Sequence, residues 1–230
     1  MGFTVLANYK LLFFGKIPST QIYAHDLIER RGAADHTAIV AAAQSAGRGR
    51  YRRSWVSHHG NLYVSFIFNA PTRDARCSYA VAVAVAESLQ ALGVDARIKW
   101  PNDIMVGGKK ICGILIEYVG DFVVVGIGVN IKSNPTVSAG YKTTRLQRYC
   151  SATVMDVLAL IMKNLDIWRG SDFANVRSRW MDLAHGLNQI VQYRGMPAKL
   201  RGINEQGALI LNCDGNDLLV YGDEITLNEK

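Results

Sequence analysis

The segment from His36 to Trp55, HTAIVAAAQSAGRGRYRRSW, joins a short apolar run to a loop rich in arginine and glycine. The run from His36 to Ala43 is nearly continuous, which is typical of a strand buried on both faces. The loop follows at the carboxyl end of that strand, and ligand sites in sheet proteins often lie in such loops. The segment therefore predicts a sheet protein with a ligand-binding loop after a buried strand.

The loop itself is strongly basic. Its arginines are Arg48, Arg50, Arg52 and Arg53. Guanidinium groups are planar, bidentate donors that suit carboxylate and phosphate groups. Gly47 and Gly49 let the backbone adopt a positive φ or approach a ligand closely, and Trp55 offers a flat face to a base or ring. A solvated basic loop and a nucleic-acid patch are the alternatives, and these residues alone leave both open.

Strand-like and helix-like segments flank this loop on both sides. Strands are predicted at 3–14, 36–43, 61–68, 97–100, 103–106, 109–118 and 122–131. Helices are predicted at 21–31, 74–92, 151–169 and 172–184, with Ser19 or Thr20 as the first N-cap, Gly32 as its stop, and Trp168 and Trp180 directed toward the core. The Gly107–Gly108 pair suits a two-residue hairpin turn. Residues 132–150 are polar and irregular.

The composition changes at Gly186. Short strands with turn signals follow, at 189–193, 198–203, 207–211 and 217–221, which predicts a small β-barrel of roughly 45 residues. The predicted fold class is therefore α+β, with a mixed central sheet, flanking helices and a C-terminal barrel. The predicted domains are residues 1–186 and 187–230.

Composition narrows the class of protein. The 230 residues carry a formal net charge of +7 and are 49% hydrophobic, which favours a globular protein with anionic partners. No run of 18 apolar residues occurs, so no membrane span is predicted. The apolar N-terminus is interrupted by Lys10, and no cleavage site follows, so no signal peptide is expected. The cysteines Cys77, Cys112, Cys150 and Cys213 are scattered, which indicates reduced thiols and a cytoplasmic protein.

A second polar cluster follows the strand that ends at Lys99. Asn102 and Asp103 supply the hard oxygen ligands that Mg²⁺ bound to phosphates takes; a capped turn is the alternative. Lys110 could pair with a carboxylate or phosphate or be solvated. Asn130 is either another oxygen donor or a turn residue at the end of a strand.

Several other motifs are excluded. Residues 107–110 lack the spacing and the hydroxyl residue of a phosphate-binding loop, and residues 126–131 lack the third glycine of a dinucleotide fingerprint. No nucleophilic triad stands out, and the adjacent His58 and His59 are expected at the surface. Arginines, a lysine, a Mg²⁺ site and an aromatic platform suit the activation of a carboxylate by ATP. That chemistry depends on positioning and charge neutralisation and needs no covalent enzyme intermediate.

Four blocks in order resemble the biotin protein ligases: Gln44–Arg50 with Trp55, Lys99–Asp103, Lys110–Glu117 and Gly126–Ile131. Ser19–Thr20 and the 202–209 stretch add to the resemblance, which spans nearly the whole chain. It implies a class II synthetase-like catalytic domain with a C-terminal SH3-like barrel. It also implies formation of biotinyl-5′-AMP from biotin and MgATP, followed by transfer to a lysine of a biotin carboxyl carrier domain of a carboxylase.

The same resemblance implies roles for particular residues. The implied biotin-binding set is Ser19, Thr20, Gln21, Gln44, Gly47, Arg48, Gly49, Arg50, Lys110 and Gly113. The implied ATP-binding set is Arg50, Trp55, Asn102 and Asn130, with Asp103 and Asn102 at Mg²⁺. The implied catalytic set is Arg48, Arg50, Lys110 and Asp103. No tightly bound transition metal is expected.

Two positions depart from the family pattern. Gln21 replaces a usual asparagine, and Arg52 replaces a usual loop glycine, adding charge and predicting a stiffer loop. Only about eighteen residues precede Ser19, so we expect a ligase with no N-terminal DNA-binding domain, no nucleic-acid partner and no membrane partner. Monomers and homodimers both occur in the family, so a homodimer stays open. A lipoate or octanoate ligase is the nearest alternative, and a basic nucleic-acid-binding module is the alternative from another class.

Overall fold

The computed structural model describes residues 3–6, 8–135, 142–222 and 225–227. Within these ranges the strands are β1 (Phe3–Leu6), β2 (Tyr9–Ile17), β3 (Thr37–Gln44), β4 (Leu62–Asn69), β5 (Ala96–Lys99), β6 (Asp103–Val106), β7 (Lys109–Val119), β8 (Phe122–Val129), β9 (Ile190–Tyr193), β10 (Met196–Ile203), β11 (Leu209–Cys213), β12 (Asn216–Val220) and β13 (Thr226–Leu227). The helices are α1 (Thr20–Arg31), α2 (Cys77–Gln90), α3 (Val154–Arg169) and α4 (Phe173–Leu183). Two compact units form, Met1–Arg73 with Ile111–Leu158, and Asp74–Lys110 with Ala159–Lys230.

The first unit contains a mixed sheet in the order β1-β2-β3-β4-β8-β7. β2 and β3 run parallel, while the other neighbouring pairs run antiparallel. Helix α1 packs on this sheet through Ala24, which joins Ile39, Ile67 and Val124 in a fully buried cluster. The predicted α+β class with a mixed sheet is confirmed.

Helix α1 begins and ends where the sequence predicts. Ser19 is its N-cap, and the Ser19 Oγ accepts a hydrogen bond from the Gln21 amide at 3.2 Å. Gly32 follows the last turn with φ +67°, a conformation that favours glycine. The helix therefore starts directly after β2, and its first residues lie at the carboxyl end of that strand.

The parallel pairing of β2 with β3 positions two predicted site segments. Ile17 pairs with Gln44 at the last register position. The Ser45 amide donates to the Ile17 carbonyl at 3.1 Å, and the Ala46 amide donates to the Pro18 carbonyl at 2.8 Å. The start of α1 and the start of the arginine loop are consequently held side by side.

The second unit is built on α2. Its alanine-rich residues are buried, and Tyr79 meets Trp180 of α4 edge to face with ring centroids 5.6 Å apart. Trp180 is 1% exposed, as expected for a core residue. Trp168 is only partly buried, and its indole N–H donates to Glu87 at 2.6 Å. Unlike Trp180, Trp168 is therefore not a core residue, and the prediction that it is directed toward the core is wrong.

The turn at Gly107–Gly108 and the stretch 132–150 connect strands and helices. Gly107 and Gly108 both have positive φ, +53° and +70°, as a primed two-residue turn requires. The stretch expected to be irregular, 132–150, contains a short 3₁₀ helix at Leu146–Arg148, and its residues 136–141 lie outside the described ranges. In the part of the chain that the structure describes, no helix combines the length and apolarity needed to cross a bilayer.

The C-terminal residues of the second unit form an antiparallel sheet in the order β12-β11-β10-β9-β13. The four predicted strands are confirmed, and the short β13 is an addition that sequence patterning did not predict. The Tyr79 hydroxyl donates to the Gly207 carbonyl at 2.7 Å, and burial raises the pKa of that hydroxyl. A Cβ at Gly202, where φ is +131°, would collide with the Met181 side chain of α4. The sheet is therefore packed closely on the helices of its own unit.

Candidate ligand-binding site

Gln44 anchors the base of the arginine loop. Its Oε1 accepts from the Thr20 amide at 2.8 Å and from the Thr20 hydroxyl at 3.2 Å. Its Nε2 donates to the Ser57 hydroxyl at 2.8 Å. One side chain thus joins the start of α1, the end of β3 and the chain that returns from the loop. The structure thus joins Thr20, which follows Ser19, to Gln44.

Gly47 is required by close packing. A Cβ there would collide with the Trp55 carbonyl oxygen and lie 2.7 Å from the Ser57 hydroxyl. The Trp55 amide donates to the Gly47 carbonyl at 2.9 Å, which closes the base of the loop. Gly49, by contrast, is extended with φ −125°, and a Cβ there would come no closer than 3.5 Å to the Arg53 carbonyl oxygen. Neither glycine is needed here for a positive φ.

The tip of the loop is exposed and basic. Arg50–Arg52 form a single 3₁₀ turn in which Tyr51 and Arg52 have φ values of +54° and +59°. The Gly49 amide donates to the Arg53 carbonyl at 2.8 Å. The Arg50 guanidinium lies over the Tyr51 ring, 4.8 Å from its centroid, and Nη2 donates to the Tyr51 hydroxyl at 3.0 Å. The tip is thus a basic, solvent-facing turn.

The chain that returns from the loop is tied to β4. The Tyr63 hydroxyl donates to the His58 carbonyl at 2.9 Å. Burial raises the pKa of Tyr63 to about 12 although the hydrogen bonds lower it, so the hydroxyl stays protonated and remains a donor. The side chains of His58 and His59 are exposed, as predicted.

Trp55 packs on a glycine of the sheet. A Cβ at Gly128 would lie 2.6 Å from the indole Nε1 and 2.7 Å from Cε2. Gly113 on β7 pairs with Gly128 in the register, so two neighbouring strands lack side chains at this position. The close neighbour of Gly128 is therefore an aromatic ring of the loop. The indole is half-buried.

Gln21 belongs to a buried polar chain. It is 3% exposed, and its Oε1 lies 2.9 Å from the Ser65 hydroxyl, which is also 2.9 Å from the Thr20 hydroxyl. A Cβ at Gly126 would lie 2.5 Å from the Gln21 Oε1, so this glycine makes room for the glutamine. Buried hydroxyl and amide groups in a row can recognise a ligand that both donates and accepts hydrogen bonds.

The Glu117 carboxylate accepts two hydrogen bonds and lies close to a third nitrogen atom. Its Oε2 accepts from Gln21 Nε2 at 2.9 Å and lies 3.0 Å from His25 Nε2. Its Oε1 accepts from Arg48 Nη2 at 3.3 Å. Sequence reasoning missed a role for Glu117, although a carboxylate in an otherwise apolar strand is a signal. His25 on α1 carried no comparable signal.

Asn130 presents a buried acceptor. The residue is 1% exposed, and its Nδ2 donates to the Thr144 carbonyl at 3.1 Å. Its Oδ1 has no hydrogen-bond partner among the residues that the structure describes. The chain after it is fixed by Asn61, whose Oδ1 accepts from the amides of Ile131, Lys132 and Ser133. An unsatisfied buried acceptor in a fixed segment suits a ligand contact.

The second unit carries Asn102, Asp103 and Lys110. Lys110 Nζ lies 2.6 Å from Asp103 Oδ1, with the two side chains 13% and 20% exposed. The alternative of a solvated Lys110 is therefore wrong, because the ammonium group is mostly buried and paired. The described residues contain no group of three or more His, Cys, Asp and Glu residues that could hold a metal ion. Any divalent cation here would need further ligands from a substrate or water.

Taken with the mixed sheet, these features define an α+β ligand-binding protein whose basic loop follows a buried strand. A model of the Biotin/lipoate A/B protein ligase family matches residues 13–134. The Bifunctional ligase/repressor BirA of Escherichia coli is 32% identical over 92% of this chain and 72% of that protein. The Biotin--[acetyl-CoA-carboxylase] ligase of Paracoccus denitrificans is 31% identical over 81% of this chain and 88% of that protein.

Solved structures agree with the sequence relatives. The biotin protein ligase from Aquifex aeolicus, in complex with biotin and ATP, superposes with a TM-score of 0.81 at 25% identity. The match covers 96% of this chain and 99% of that one. This chain is a member of the biotin/lipoate A/B protein ligase family.

Proposed function

We propose that this protein is an ATP-dependent biotin protein ligase that forms biotinyl-5′-AMP and transfers the biotinyl group to a carrier lysine. The observation that carries the proposal is the junction of β2 and β3. There Thr20, Gln44 and the base of the arginine loop form one hydrogen-bonded unit. Family membership supports the same activity, because relatives from this family are named biotin ligases.

The proposed biotin site uses the buried polar residues of the first unit. The ureido ring of biotin both donates and accepts hydrogen bonds, which suits the hydroxyl and amide groups of Ser19, Thr20, Gln21 and Gln44. Arg48 offers its guanidinium to the biotin carboxylate, with Gly47 and Gly49 at either side of it and Gly113 on strand β7 of the same sheet. These assignments are supported by the local geometry and by the family motifs.

The reaction needs two displacements. A carboxylate oxygen of biotin attacks the α-phosphorus of ATP, a new P–O bond forms, and pyrophosphate leaves. The ε-amine of the acceptor lysine then attacks the biotinyl carbonyl, loses a proton, and AMP leaves. Both steps depend on positioned cations that neutralise developing charge. In our proposal Arg48, Arg50 and Lys110 provide those cations, and Trp55 and Asn130 contact the nucleotide.

Mg²⁺ would be held by Asp103 and Asn102 together with the phosphates of ATP, and it would supply charge neutralisation there. The donor set fits, since a carboxylate and an amide are hard oxygen ligands. One Asp103 oxygen is paired with Lys110, which leaves the carboxylate able to share its second oxygen. The tip of the loop, with Arg50, would cover the adenylate and exclude water, which a mixed anhydride requires.

The acceptor in our proposal is a biotin carboxyl carrier domain of a carboxylase. The C-terminal sheet would close as the SH3-like barrel of the family, on a class II synthetase-like catalytic part, with the division near Gly186. The cytoplasmic location, the absence of a nucleic-acid partner and the choice between monomer and homodimer stay predictions.

The direct test is ATP–pyrophosphate exchange with the purified protein and biotin, lipoate or octanoate in parallel. Exchange with biotin alone supports the proposal. Exchange with lipoate or octanoate would instead assign the chain to the sister activity of the same family. Absence of exchange with every acid would refute acid adenylation, and a salt-dependent DNA-binding assay would then test the basic-module alternative.

The Asp103–Lys110 pair provides a second test of the same proposal. We expect Asp103→Ala to reduce exchange by about a hundredfold while biotin affinity falls by less than about threefold, since the role is in charge stabilisation. Isothermal titration with biotin and exchange kinetics measure the two quantities. Exposed Asp95 provides the matched control, because Asp95→Ala removes the same charge elsewhere in the unit. Equal losses in binding and exchange would indicate a folding defect.

A further inference from the structure

We propose that Glu117 is a positioning residue for Arg48, and that His25 fixes Glu117 in turn. The inference rests on the proposed function, because it concerns how Arg48 is kept ready for the anionic part of the substrate. It assigns roles to two side chains outside the predicted binding and catalytic sets. The evidence is the convergence on one carboxylate of two hydrogen-bond donors, Gln21 and Arg48, and of the His25 imidazole, whose Nε2 lies 3.0 Å away.

The two carboxylate oxygens of Glu117 contact different elements of the fold. Oε1 faces the loop and accepts from Arg48 Nη2. Oε2 faces helix α1, where Gln21 Nε2 lies at 2.9 Å and His25 Nε2 at 3.0 Å. Glu117 thus connects the loop to the helix that begins at the predicted biotin site. A rotation of the carboxylate would break contacts with both elements.

The contacts with helix α1 are partly shielded from water. The side chains of His25 and Glu117 are each 26% exposed, and Gln21 is 3% exposed. Hydrogen bonds that involve an ionised group are stronger than neutral ones, and a partly buried position weakens their screening by water. The carboxylate is therefore tied to helix α1 through Gln21, independently of its contact with the arginine.

Of these residues, Arg48 is the one whose side chain is least restrained by its surroundings. Its side chain is 39% exposed and lies between two glycines in a loop, so its neighbours in sequence restrict it little. Ordering a long arginine side chain costs rotamer entropy. Glu117 engages one terminal nitrogen, and a guanidinium has further N–H donors with which to meet a ligand carboxylate or phosphate. Holding the guanidinium in advance lowers the cost of binding.

The test measures the KM for biotin and kcat in the exchange assay. We expect Glu117→Gln, which keeps an acceptor but loses the charge, to raise the KM for biotin about tenfold with kcat within about twofold, since 1.4 kcal/mol corresponds to tenfold. Glu117→Ala should raise KM further, and His25→Phe should raise it about threefold because its action is indirect. Glu29, exposed on the same helix as His25, provides the control: Glu29→Gln removes the same charge and should change neither constant.

A double-mutant cycle separates positioning from general destabilisation. In an Arg48→Ala background, Glu117→Gln should change KM by less than about twofold, because the residue through which it acts is gone. If the increases in KM caused by Arg48→Ala and Glu117→Gln multiply in the double variant, the proposal is wrong. It is also wrong if KM is unchanged in both Glu117 variants. If Glu117→Ala fails to fold, as judged by circular dichroism, Glu117→Gln and His25→Phe carry the test.

Biotin-dependent exchange by the wild-type protein separates the positioning role of Glu117 from the ligase activity itself. Wild-type protein and Glu29→Gln must first show biotin-dependent exchange. Without it the proposed function fails, whatever the Glu117 variants do. With it, a Glu117→Gln variant that matches wild type in both constants refutes only the positioning role.

Discussion

The base and the tip of the arginine loop differ although their sequences look alike. At the base, both the oxygen and the nitrogen of the Gln44 side-chain amide are hydrogen-bonded. The packing around Gly47 leaves no room for a side chain. At the tip, the bonds joining Gly49, Arg50 and Arg53 are local, and Tyr51 is 60% exposed. The base is therefore joined to distant parts of the chain, while these bonds at the tip lie within its own turn.

The two glycines of the GRGR motif illustrate the difference. Gly47 is a packing requirement, whereas Gly49 lies in ordinary extended backbone with space for a Cβ. The residues that do adopt a left-handed conformation are Tyr51 and Arg52, which are not glycines. Left-handed residues at the tip and close packing at the base are compatible with the proposed role of the tip as a cover over the adenylate.

The largest expected effect tests the base. Gly47→Ala should lower biotin-dependent exchange by about a hundredfold, since a displacement of about 1 Å in a positioning segment can cost that much. Gly49→Ala is the matched control and should stay within about twofold, because its Cβ meets only ordinary contacts. Equal losses in the two variants would remove the distinction between base and tip.

The next effect tests the tip as a cover over the adenylate. Arg50→Gly should release biotinyl-5′-AMP about thirtyfold faster, because a hydrogen bond to a charged group contributes roughly 2 kcal/mol. Lysines of bystander proteins should then be biotinylated, as measured by streptavidin blotting of a mixture with bovine serum albumin. Labelling confined to the proper acceptor would contradict a retention role for the tip.

Gly128→Ala tests how the base meets the sheet. The new Cβ would displace the Trp55 indole, and the KM for ATP should rise about tenfold, since stacking on an aromatic ring contributes about 1–3 kcal/mol per base. Exchange kinetics at varied ATP measure it, with Gly15→Ala in β2 as control because nothing lies within 4 Å of its Cβ. An unchanged KM for ATP would show that Trp55 is only a packing residue.

The smallest effect tests strain at the tip. Arg52 has φ +59°, where a non-glycine residue costs about 1 kcal/mol, so Arg52→Gly should raise the free energy of unfolding by less than about 1 kcal/mol. The midpoint of thermal unfolding should rise by about 1–3 °C. Arg52→Ala removes the same charge but keeps the strain. If both variants shift the midpoint equally, charge rather than backbone conformation is responsible.

Most of the fold could be predicted from the sequence because its signals are local. The run 36–43 predicts β3, Ser19 and Gly32 predict the two ends of α1, and Gly107–Gly108 predicts a primed turn. The helix carrying Trp168 was placed correctly, but the exposure of its ring was not. The exposure depends on Glu87, a residue eighty-one positions away that accepts the indole hydrogen.

In the candidate site, too, some residues are predictable from local sequence and others are not. Gln44, Gly47 and Arg48 stand out in sequence because of their types and spacing. Glu117 and His25 were missed, since their roles come from a contact across ninety-two positions that no local pattern encodes. The pairing of Lys110 with Asp103 was one of several options for each residue, and only folding selected it.

The sequence by itself determined the order of elements, the basic character of the loop and the family motifs, because these depend on periodicity, turn chemistry and residue type. The tertiary structure decided which glycine is indispensable and which arginine is held by a carboxylate. It also decided which buried oxygen, on Asn130, is left without a partner in the described part of the chain. The physical reason is that packing and hydrogen bonding join residues distant in sequence, and their partners are fixed only when strands pair and helices dock.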